Sequence, residues 1–539
     1  MLAKAIRLYH TVKYLKLKQV VWRLIYLLPR RLTPQTSSPK TNSIPFINTT
    51  KRGITKDYDH FTFLSEVNQL SLVGWDNPSQ SKLWRYNLHY FDCLNQVELE
   101  NEGVELQDNI ISKWIRENPF GKGTGWEPYP TSLRIINWIK WHFKTNSLSA
   151  EAKLSLWSQV NWLVGRPEYH LLGNHLFINA KALLFACVIF ELDEQSAIYK
   201  KALKILKEEL SEQFLEDGAH FELSPMYHAL AMEDLLDLYQ LNKSLPLSFP
   251  SQEIQEKFLN GMNWLHYMSY NSGELAHFND CANDIAPTFN ELIELGQKVG
   301  LNWVLNSGNK FNYFKDSGFV VLKNETVHLI ADIGDIGPDY LPGHAHADSL
   351  SFELAIKGQR IIVNSGIGEY GVSEERLRQR STAAHSTIEL DGKSSSEVWS
   401  GFRVAQRARI TEVDLIERDK KFEFAAVHDG YTRIKSKPLH KRNWKLDDSS
   451  IEIIDEVSGS GNSVQLRYFL HPDIHVDIHD DSIILSISSE KLAKIRTEQN
   501  MQVVDSTYHD KFGVSRKNKC LLITGVTPFK CMIKINWTL

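Results

Sequence analysis

Two histidines stand one residue apart in Gly343-His-Ala-His-Ala-Asp-Ser-Leu, a segment that leads into an alternating apolar run. Side chains at i and i+2 of an extended segment share a face, so His344 and His346 are predicted to point the same way. Imidazole exchanges a proton near neutral pH and is also a common metal ligand. His385, in Ala383-Ala-His-Ser-Thr, again precedes a strand-like stretch. The three histidines predict a proton-transfer or metal site on the rim of a β-sheet.

Polar residues also mark the starts of two predicted helices. Asn174 and His175 open an apolar helix, where Asn174 can act as the N-cap or can join His175 in binding an anion. The motif Ser-Pro-Met-Tyr227-His228 begins another helix with proline in its first turn. Tyr227 and His228 then lie close to whatever that helix start faces. For Tyr227 the alternative is a core position with its hydroxyl group hydrogen-bonded inside the protein.

A proline-rich loop supplies residues that can bind sugars. Trp126 and Tyr129 can stack on sugar rings, and the planar guanidinium of Arg134 fits a carboxylate or sulfate group. The alternative is a loop that its aromatic side chains anchor, with Arg134 in a structural ion pair. His277 and Asp280 form a further polar cluster, for which we expect a supporting role at most.

The hydrophobic pattern changes period along the chain. From about 80 to 305, apolar residues recur at helical spacing, and from about 315 they alternate in short runs between turn signals. This predicts an α+β multidomain protein in which antiparallel helix pairs precede an antiparallel β-sandwich. The predicted divisions are a basic segment with its linker at 1–56, a helical domain at 57–310 and a sandwich at 311–539.

Bulk composition excludes several classes of protein. A length of 539 residues implies two or three domains, and a net charge of −4 provides no general attraction for polyanions. We find no P-loop, dinucleotide fingerprint or basic stripe that would bind nucleic acid. The five cysteines contain no CxxC pair, which argues against a zinc ribbon or a disulfide framework.

The N-terminal segment is basic and interspersed with apolar residues. Residues 1–31 contain eight lysines and arginines and no acidic residue. They lack the uninterrupted apolar core and cleavage site of a signal peptide, and they are too charged to span a bilayer. We therefore predict a cytoplasmic protein. Its N-terminus either lies on an anionic membrane surface or docks on the body of the protein, and the sequence leaves both open.

In chain order, the motifs resemble those of the heparinase II/III family of polysaccharide lyases. They are Asn-His at a helix start, Ser-Pro-x-Tyr-His, Gly-His-x-His-x-Asp, Val-Asn-Ser-Gly and Ala-Ala-His-Ser-Thr. The resemblance covers about residues 80–470. Residues 84–90, Trp-Arg-Tyr-Asn-Leu-His-Tyr, and the basic opening are similar to the branch found with bacterial capsule and exopolysaccharide synthesis. The resemblance implies an incomplete (α/α) toroid, an antiparallel β-sandwich, a cleft between them, and β-elimination at a uronic acid.

The resemblance also implies roles for individual residues. Asn174 would neutralise the uronate carboxylate with His175 beside it, Tyr227 would be the acid, and His344 the catalytic histidine. Tyr227 would need a cationic neighbour, such as His344 or Arg380, to act as a base. Substrate-binding roles are predicted for Trp126, Tyr129, Arg134, His228 and Arg380.

A metal site, usually zinc, is implied at His346, Asn364 and His385. The family often has aspartate where this chain has Asn364, and an amide oxygen brings no charge to a divalent cation. The alternative is a hydrogen-bonded pair of His346 and His385 that braces the strand ends.

Three functions are compatible with these residues. The first is a lyase that cleaves an acidic, uronate-containing polysaccharide in capsule or exopolysaccharide metabolism. A uronyl C5-epimerase would need nearly the same residues, because it also removes the C5 proton. The third is a polysaccharide-binding assembly factor without catalysis, although such a protein would not need the tyrosine and histidine together.

Overall fold

The computed structural model describes residues 2–28, 32–49, 51, 53–96, 103–305, 310–418 and 421–537. Most of the helices precede the sandwich. They are α1 (Leu2–Val12), α2 (Leu17–Tyr26), α3 (Leu70–Val73), α4 (Lys82–Tyr90), α5 (Val104–Glu117), α6 (Pro128–Thr145), α7 (Ala150–Gly165), α8 (Gly173–Ile189), α9 (Ala197–Gln213), α10 (Pro225–Leu241), α11 (Ser251–Tyr267), α12 (Phe289–Val299) and α13 (Glu374–Arg380).

Inner and outer helices of the helical domain differ in their apolar pattern. Helices α6, α8 and α10 are buried on nearly every side, and α8 is apolar almost throughout. Helices α7, α9 and α11 each bury one stripe. A helix that is apolar all round needs partners on every side, so the amphipathic helices pack outside it. The result is an array of antiparallel helix pairs, with α6 packed on α8, α8 on α9, and α10 on α11.

The strands are mainly those of the C-terminal domain. They are β1 (His60–Phe63), β2 (Glu66–Gln69), β3 (Phe311–Phe314), β4 (Phe319–Lys323), β5 (Val327–Asp332), β6 (Phe352–Ile356), β7 (Gln359–Val363), β8 (Ile388–Leu390), β9 (Val398–Trp399), β10 (Arg403–Val404), β11 (Ile410–Arg418), β12 (Lys421–His428), β13 (His440–Leu446), β14 (Ser450–Val457), β15 (Ser463–Leu470), β16 (His475–His479), β17 (Ser482–Ile487), β18 (Glu490–Thr497), β19 (Met501–Tyr508), β20 (Arg516–Val526) and β21 (Phe529–Asn536).

Two large antiparallel sheets form the sandwich. One has the order β11-β12-β13-β14-β21-β18-β17-β16, and the other β19-β20-β15-β7-β6-β5-β4-β3 with β8 paired to β15. In β4, Val320 and Leu322 pack in the core between the sheets, whereas Phe319 and Val321 pack with Trp264 of the helical domain. The second sheet therefore packs on the first sheet with one face and on the helical domain with the other. Because of this packing, the loops of the second sheet lie next to the helices.

Buried polar contacts also join the two domains. The Asp217 carboxylate accepts hydrogen bonds from the backbone N–H of Ser317 at 2.7 Å and from its hydroxyl group at 2.8 Å. Glu353 in β6 accepts from the Tyr270 hydroxyl at 2.8 Å and from the His277 N–H at 3.2 Å. Buried or partly buried carboxylates with several donors fix the groups around them, so these contacts hold the helical domain and the sandwich in one relative position.

The N-terminal helices lie across both domains. Arg7 in α1 lies 2.7 Å from Glu397, next to β9, and Lys18 in α2 lies 3.0 Å from Glu208 in α9. The Trp399 indole also donates to the side chain of Thr11 in α1 at 3.1 Å. The segment therefore docks on the body of the protein, one of the two predicted alternatives. Arg30 and Arg31, which belong to the predicted basic segment, lie outside the described residues.

The predicted fold class is confirmed: a helical region precedes antiparallel sheets. The predicted boundaries stay predictions, and residues 306–309, at the division between the two domains, lie outside the described residues. Helix α12 ends at Val299 and β3 begins at Phe311. In the described ranges, no helix combines the length and the apolar character needed to cross a membrane.

Candidate active site

Five segments meet between the helical domain and the sandwich. They are the start of α6, the start of α8, the start of α10, the loop between α11 and α12, and the loop that precedes β6. The Tyr227 and His344 rings lie against each other with centroids 4.0 Å apart, and the rings of Tyr129 and His175 are 4.4 Å apart. Tyr129, Asn174 and Tyr227 also line one cavity of about 20 Å³, which has room for a single water molecule. The structure thus brings these five residues together, all of them partly buried.

Asp280 connects the segment that carries His344 with the start of α10, which carries Tyr227. Its carboxylate lies 2.8 Å from His344 Nδ1 and 2.9 Å from His346 Nε2, and it pairs with both terminal nitrogens of Arg376. Its backbone carbonyl accepts from the Ser224 hydroxyl at 2.6 Å. His344 and His346 lie in a loop ahead of β6. Both imidazoles nevertheless contact the Asp280 carboxylate, which agrees with the prediction that the two side chains point the same way.

Strained backbone accompanies the site. Leu172, Leu223, Asn279 and Leu350 have positive φ angles of 68°, 55°, 56° and 62°, which side chains other than glycine rarely adopt. Each lies within a few residues of a candidate site residue. The Asn279 amide donates to the Leu223 carbonyl at 2.9 Å and accepts from the N–H of His346 at 2.9 Å. Such conformations persist where surrounding contacts enforce them, which is typical of functional sites.

Tyr227 is placed to hold its proton. Its backbone N–H donates to the side chain of Ser224, the N-cap of α10, at 3.3 Å, and its hydroxyl group lies 3.0 Å from that of Tyr370. Burial, the Tyr370 hydroxyl and the carboxyl groups of Asp280 and Glu222 raise the pKa of Tyr227 well above its ordinary value. A phenol with a raised pKa is an acid rather than a base at neutral pH. Tyr227 packs against the helical core, and its hydroxyl group lies among the candidate catalytic groups, so its catalytic role stays a prediction.

The orientation of His344 is compatible with its predicted catalytic role. The ionised Asp280 carboxylate accepts from Nδ1, which fixes the proton on that nitrogen and leaves Nε2 as the ring nitrogen with a lone pair. Burial opposes ionisation of Asp280, but Arg376 and the two histidines hold the pKa of Asp280 well below its usual range. The side chain of His344 is 16% exposed, so a substrate in the cleft can reach it.

Asn174 and His175 are the residues predicted to bind an anion. Helix α8 begins at Gly173 and its N-cap is Leu172, so the Asn174 amide does not cap the helix and lies in its first turn. His175 Nδ1 lies 3.1 Å from Glu168. Burial opposes its charge, but the Glu168 carboxylate outweighs this effect and raises the pKa of His175. An amide, an imidazole that protonates readily and a helix N-terminus together attract a carboxylate.

Gly173 allows the sandwich to approach this anion site. Its φ is +59°, and a Cβ atom at this position would overlap the side chain of Leu341, in the loop before His344. The positive φ angle favours glycine at this position, and the Leu341 side chain would have to shift to accommodate a larger residue.

Trp126 and Arg134 lie in the helical core and not on the cleft. Trp126 is 5% exposed, and its indole donates to the Asn118 carbonyl at 3.3 Å. Arg134 is fully buried, lies 3.8 Å from the Trp114 ring and donates to the Gly125 carbonyl at 2.8 Å. These contacts match the alternative of an anchored loop, except that backbone carbonyls replace the expected ion pair of Arg134. Only Tyr129 of the three predicted sugar-binding residues in this loop reaches the site.

His228 and Arg380 are also buried away from the substrate side. His228 Nδ1 accepts from the His220 N–H at 3.0 Å and its Nε2 lies 2.9 Å from the Gly261 carbonyl, so both ring nitrogens are used internally. Arg380 donates to the Ala345 carbonyl at 2.9 and 3.1 Å. It holds the loop of His344 in place and makes no recorded contact with Tyr227 among the described residues.

The predicted metal ligands give an incomplete donor set. His346 Nδ1 and His385 Nε2 lie 3.2 Å apart, while the Asn364 amide accepts from the Ser386 N–H at 3.3 Å and donates to Ser351 at 3.4 Å. Among the described residues, no group of three histidine, cysteine, aspartate or glutamate side chains is placed to hold a metal. Two imidazoles and an amide that is already hydrogen-bonded lack the third nitrogen, sulfur or carboxylate ligand that a zinc site needs. The metal stays a prediction, and the chemistry below uses none.

Four polar residues of the site were not assigned a catalytic role from the sequence. They are Asp280, which was given only a supporting role, and Glu222, Tyr370 and Arg376. The pairing of Asp280 with Arg376 joins residues 96 positions apart, and no local pattern signals it. For Glu222 a signal was present, since it lies two residues ahead of the Ser-Pro-Met-Tyr-His motif that contains Tyr227.

The fold is similar to that of solved polysaccharide lyases that join a helical toroid to a β-sandwich. The solved structure of heparinase III matches 96% of this chain and 88% of its own at 17% identity, with a TM-score of 0.67. Heparan sulfate lyase from Pedobacter heparinus matches 90% and 83% at 17% identity, with a TM-score of 0.59. A chondroitin AC lyase from Streptomyces coelicolor matches 85% and 74% at 10% identity, with a TM-score of 0.53. These similarities concern the fold.

Family models define the relationship further. The heparinase II/III N-terminus model matches residues 108–294, and the heparinase II/III-like C-terminal model matches residues 306–538. The chain belongs to the heparinase II/III family, as the motifs predicted. A heparin-sulfate lyase from Bacteroides stercoris is 25% identical over 335 residues, and the match covers 56% of this chain. A heparin-sulfate lyase from Pedobacter heparinus is 24% identical over 398 residues, and the match covers 63% of this chain. The matches span 46% and 56% of those relatives, so the chain covers about half of their length.

Proposed function

We propose that this protein is a polysaccharide lyase that cleaves an acidic, uronate-containing polysaccharide by β-elimination. The observation that carries the proposal is the pairing of Tyr227 with His344, whose imidazole Asp280 orients, beside the anion site of Asn174 and His175. An acid, an oriented base and a carboxylate site are the three groups that this elimination requires. Family membership supports the reaction class, and two relatives are named heparin-sulfate lyases.

In the proposed reaction, Nε2 of His344 takes the proton from C5 of the uronate. The electron pair of the C5–H bond moves toward the carboxyl group and gives an enolate, whose charge Asn174 and the protonated His175 stabilise. The C4–O4 bond then breaks, a C4–C5 double bond forms, and Tyr227 gives its proton to O4 of the leaving sugar. His344 passes its proton to solvent, and Tyr227 regains one from solvent.

Ultraviolet absorbance tests the proposal directly. Purified protein is incubated with heparan sulfate, heparin, chondroitin sulfate, hyaluronan, alginate and the capsule polymer of the source organism. We expect absorbance from an unsaturated uronate to rise with at least one of them. If none is cleaved, exchange of deuterium into C5 of a bound polymer would favour the epimerase, and binding without exchange would favour the assembly factor. A function in capsule or exopolysaccharide metabolism, and a cytoplasmic location, belong to this proposal and rest on the sequence.

The N-terminal helices offer a surface for a membrane. Their cationic side chains Arg7, Lys16 and Lys18 pair with acidic residues of the body, so many apolar side chains face outward. The exposed apolar residues include Ile6, Leu8, Tyr9, Val12, Leu17, Val20, Val21, Leu24, Leu27 and Leu28. Residues 1–31 contain no acidic residue. We propose that this face lies on an anionic bilayer, because its apolar side chains and the exposed basic residues Lys4, Lys13 and Arg23 both favour that surface.

Vesicle binding tests the membrane proposal. We expect sedimentation with phosphatidylglycerol vesicles but not with phosphatidylcholine vesicles, and weaker binding at high salt. The L17E/L24E variant should lose this binding, whereas Leu247→Glu, an exposed leucine of the helical domain, should retain it. Equal binding by both variants would contradict the proposal. So would concentration-dependent dimers of the wild type without vesicle binding, since a second copy of the chain would then cover the face.

A further inference from the structure

Glu222 is a buried carboxyl group that the proposed elimination does not use. It is 3% exposed, and its Oε2 is buried without a hydrogen-bond partner among the described residues. The nearest ring nitrogen, His220 Nδ1, is 4.0 Å away and likewise has no partner there. Burial lowers the pKa of His220 well below its ordinary value, so this imidazole is neutral and does not form a true ion pair with Glu222. A buried carboxyl oxygen without a hydrogen-bond partner is costly and calls for an explanation, such as a ligand that it binds.

The position of Glu222 relates it to the anion site. It lies in the segment before α10, five positions ahead of Tyr227. A Cβ atom on Gly173 would lie 3.4 Å from Glu222 Oε1, so this oxygen faces the backbone that carries Asn174. A carboxylate at this point would repel the carboxylate of a bound uronate. A carboxylic acid would instead provide a donor to it, because two carboxyl groups in one site share a proton.

The groups around Glu222 favour the neutral acid. Burial is the largest effect and raises the pKa of Glu222, Asp280 raises it further, and His344 and His175 oppose the shift without cancelling it. The other titratable groups that face this carboxyl group are His220, Tyr129, Tyr227, Tyr340 and Tyr370. None of these adds a fixed positive charge, since the tyrosines are neutral and burial keeps His220 uncharged.

We propose that Glu222, as a carboxylic acid, donates a hydrogen bond to the carboxylate of the bound uronate beside Asn174. This inference rests on the proposed lyase function and adds a specificity residue to it. The hydrogen bond strengthens as charge moves onto the carboxyl group in the enolate, so it stabilises the transition state more than the bound substrate. Neutral sugars lack the acceptor, and the site would therefore select uronates.

The proposal predicts opposite results for two variants. In Glu222→Gln the amide still donates, so kcat should stay within about tenfold of the wild type, whereas Glu222→Ala should lose ~10²–10³-fold, as for one lost oxyanion donor. The neutral acid is present below its pKa and is lost as pH rises through it. The alkaline fall in kcat/KM should therefore move to higher pH in Glu222→Gln.

A binding measurement keeps this test separate from turnover. In the Tyr227→Phe background, calorimetry with a uronate tetrasaccharide in two buffers of different ionisation enthalpy measures proton uptake on binding. We expect the protein to take up a proton on binding at a pH near the alkaline fall in kcat/KM. This proton uptake should disappear in the double variant that carries Tyr227→Phe and Glu222→Gln. If no polymer is cleaved by the wild type, the lyase proposal fails, and proton uptake still decides the function of Glu222. Loss of kcat in Glu222→Gln equal to that in Glu222→Ala, or proton uptake that the Gln substitution leaves unchanged, would overturn the inference.

Discussion

Replacing Tyr227 with phenylalanine is expected to reduce kcat by ~10²–10⁴-fold, the usual contribution of one positioned acid. The substitution removes the proton that the leaving O4 must receive. Among the described residues, the Tyr227 hydroxyl group has one hydrogen-bond partner, the Tyr370 hydroxyl at 3.0 Å, so one hydrogen bond is lost. One lost hydrogen bond costs about 1 kcal/mol, so the fold should remain intact. KM should change little, because the hydroxyl acts mainly in the transition state.

A second tyrosine offers a matched control for this prediction. Tyr431 is fully buried in the sandwich, where its hydroxyl group donates to the Ile388 carbonyl at 2.5 Å. Tyr431→Phe removes the same chemical group and one hydrogen bond, but it should leave kcat unchanged. The measurement is the initial rate of absorbance increase with the best polymer, together with the thermal unfolding midpoint of each variant. Near-normal turnover in Tyr227→Phe would show that another group protonates O4.

The residues near His344 show which features of the site could be predicted from the sequence. Spacing by two in an extended segment predicted that His344 and His346 share a side, and both reach Asp280 although the segment is a loop. The proline at the start of α10 likewise predicted that Tyr227 lies in the first turn. These predictions succeed because backbone geometry alone determines which side chains are neighbours within a few residues.

Contacts between distant segments could not be predicted in this way. Asp280 meets Arg376 and His344 only because the sandwich packs against the helices, and the spacing of residues along the chain carries no information about that packing. Trp126 and Arg134 show a second limit, since an aromatic ring and a guanidinium suit both a sugar-binding cleft and a core. The packing of α6 against its neighbours places them inside, where Arg134 uses backbone carbonyls in place of a ligand.

Replacing Asp280 with asparagine is expected to impair both stability and catalysis. It leaves the buried Arg376 guanidinium without its counter-charge, which costs about 3–5 kcal/mol. An amide can also donate to His344 Nδ1, which would move the ring proton to Nε2 and remove the base, so kcat/KM should fall by at least ~10²-fold. Because the pKa of Asp280 is depressed in the fold, its stabilising effect is present above the ordinary carboxyl range and is lost as pH falls through the depressed pKa. The asparagine variant should lack that acid-dependent loss, which thermal unfolding across pH measures.

A double variant separates the two effects of Asp280. Adding Arg376→Met to Asp280→Asn removes the unpaired guanidinium, and replacement of a buried ion pair by uncharged side chains is often nearly neutral for stability. The double variant should therefore regain much of the lost thermal stability. Its kcat/KM should remain low, because His344 still lacks the carboxylate that holds its proton on Nδ1. Recovery of activity together with stability would mean that Asp280 only braces the fold, and His344 would then lose its assignment as an oriented base.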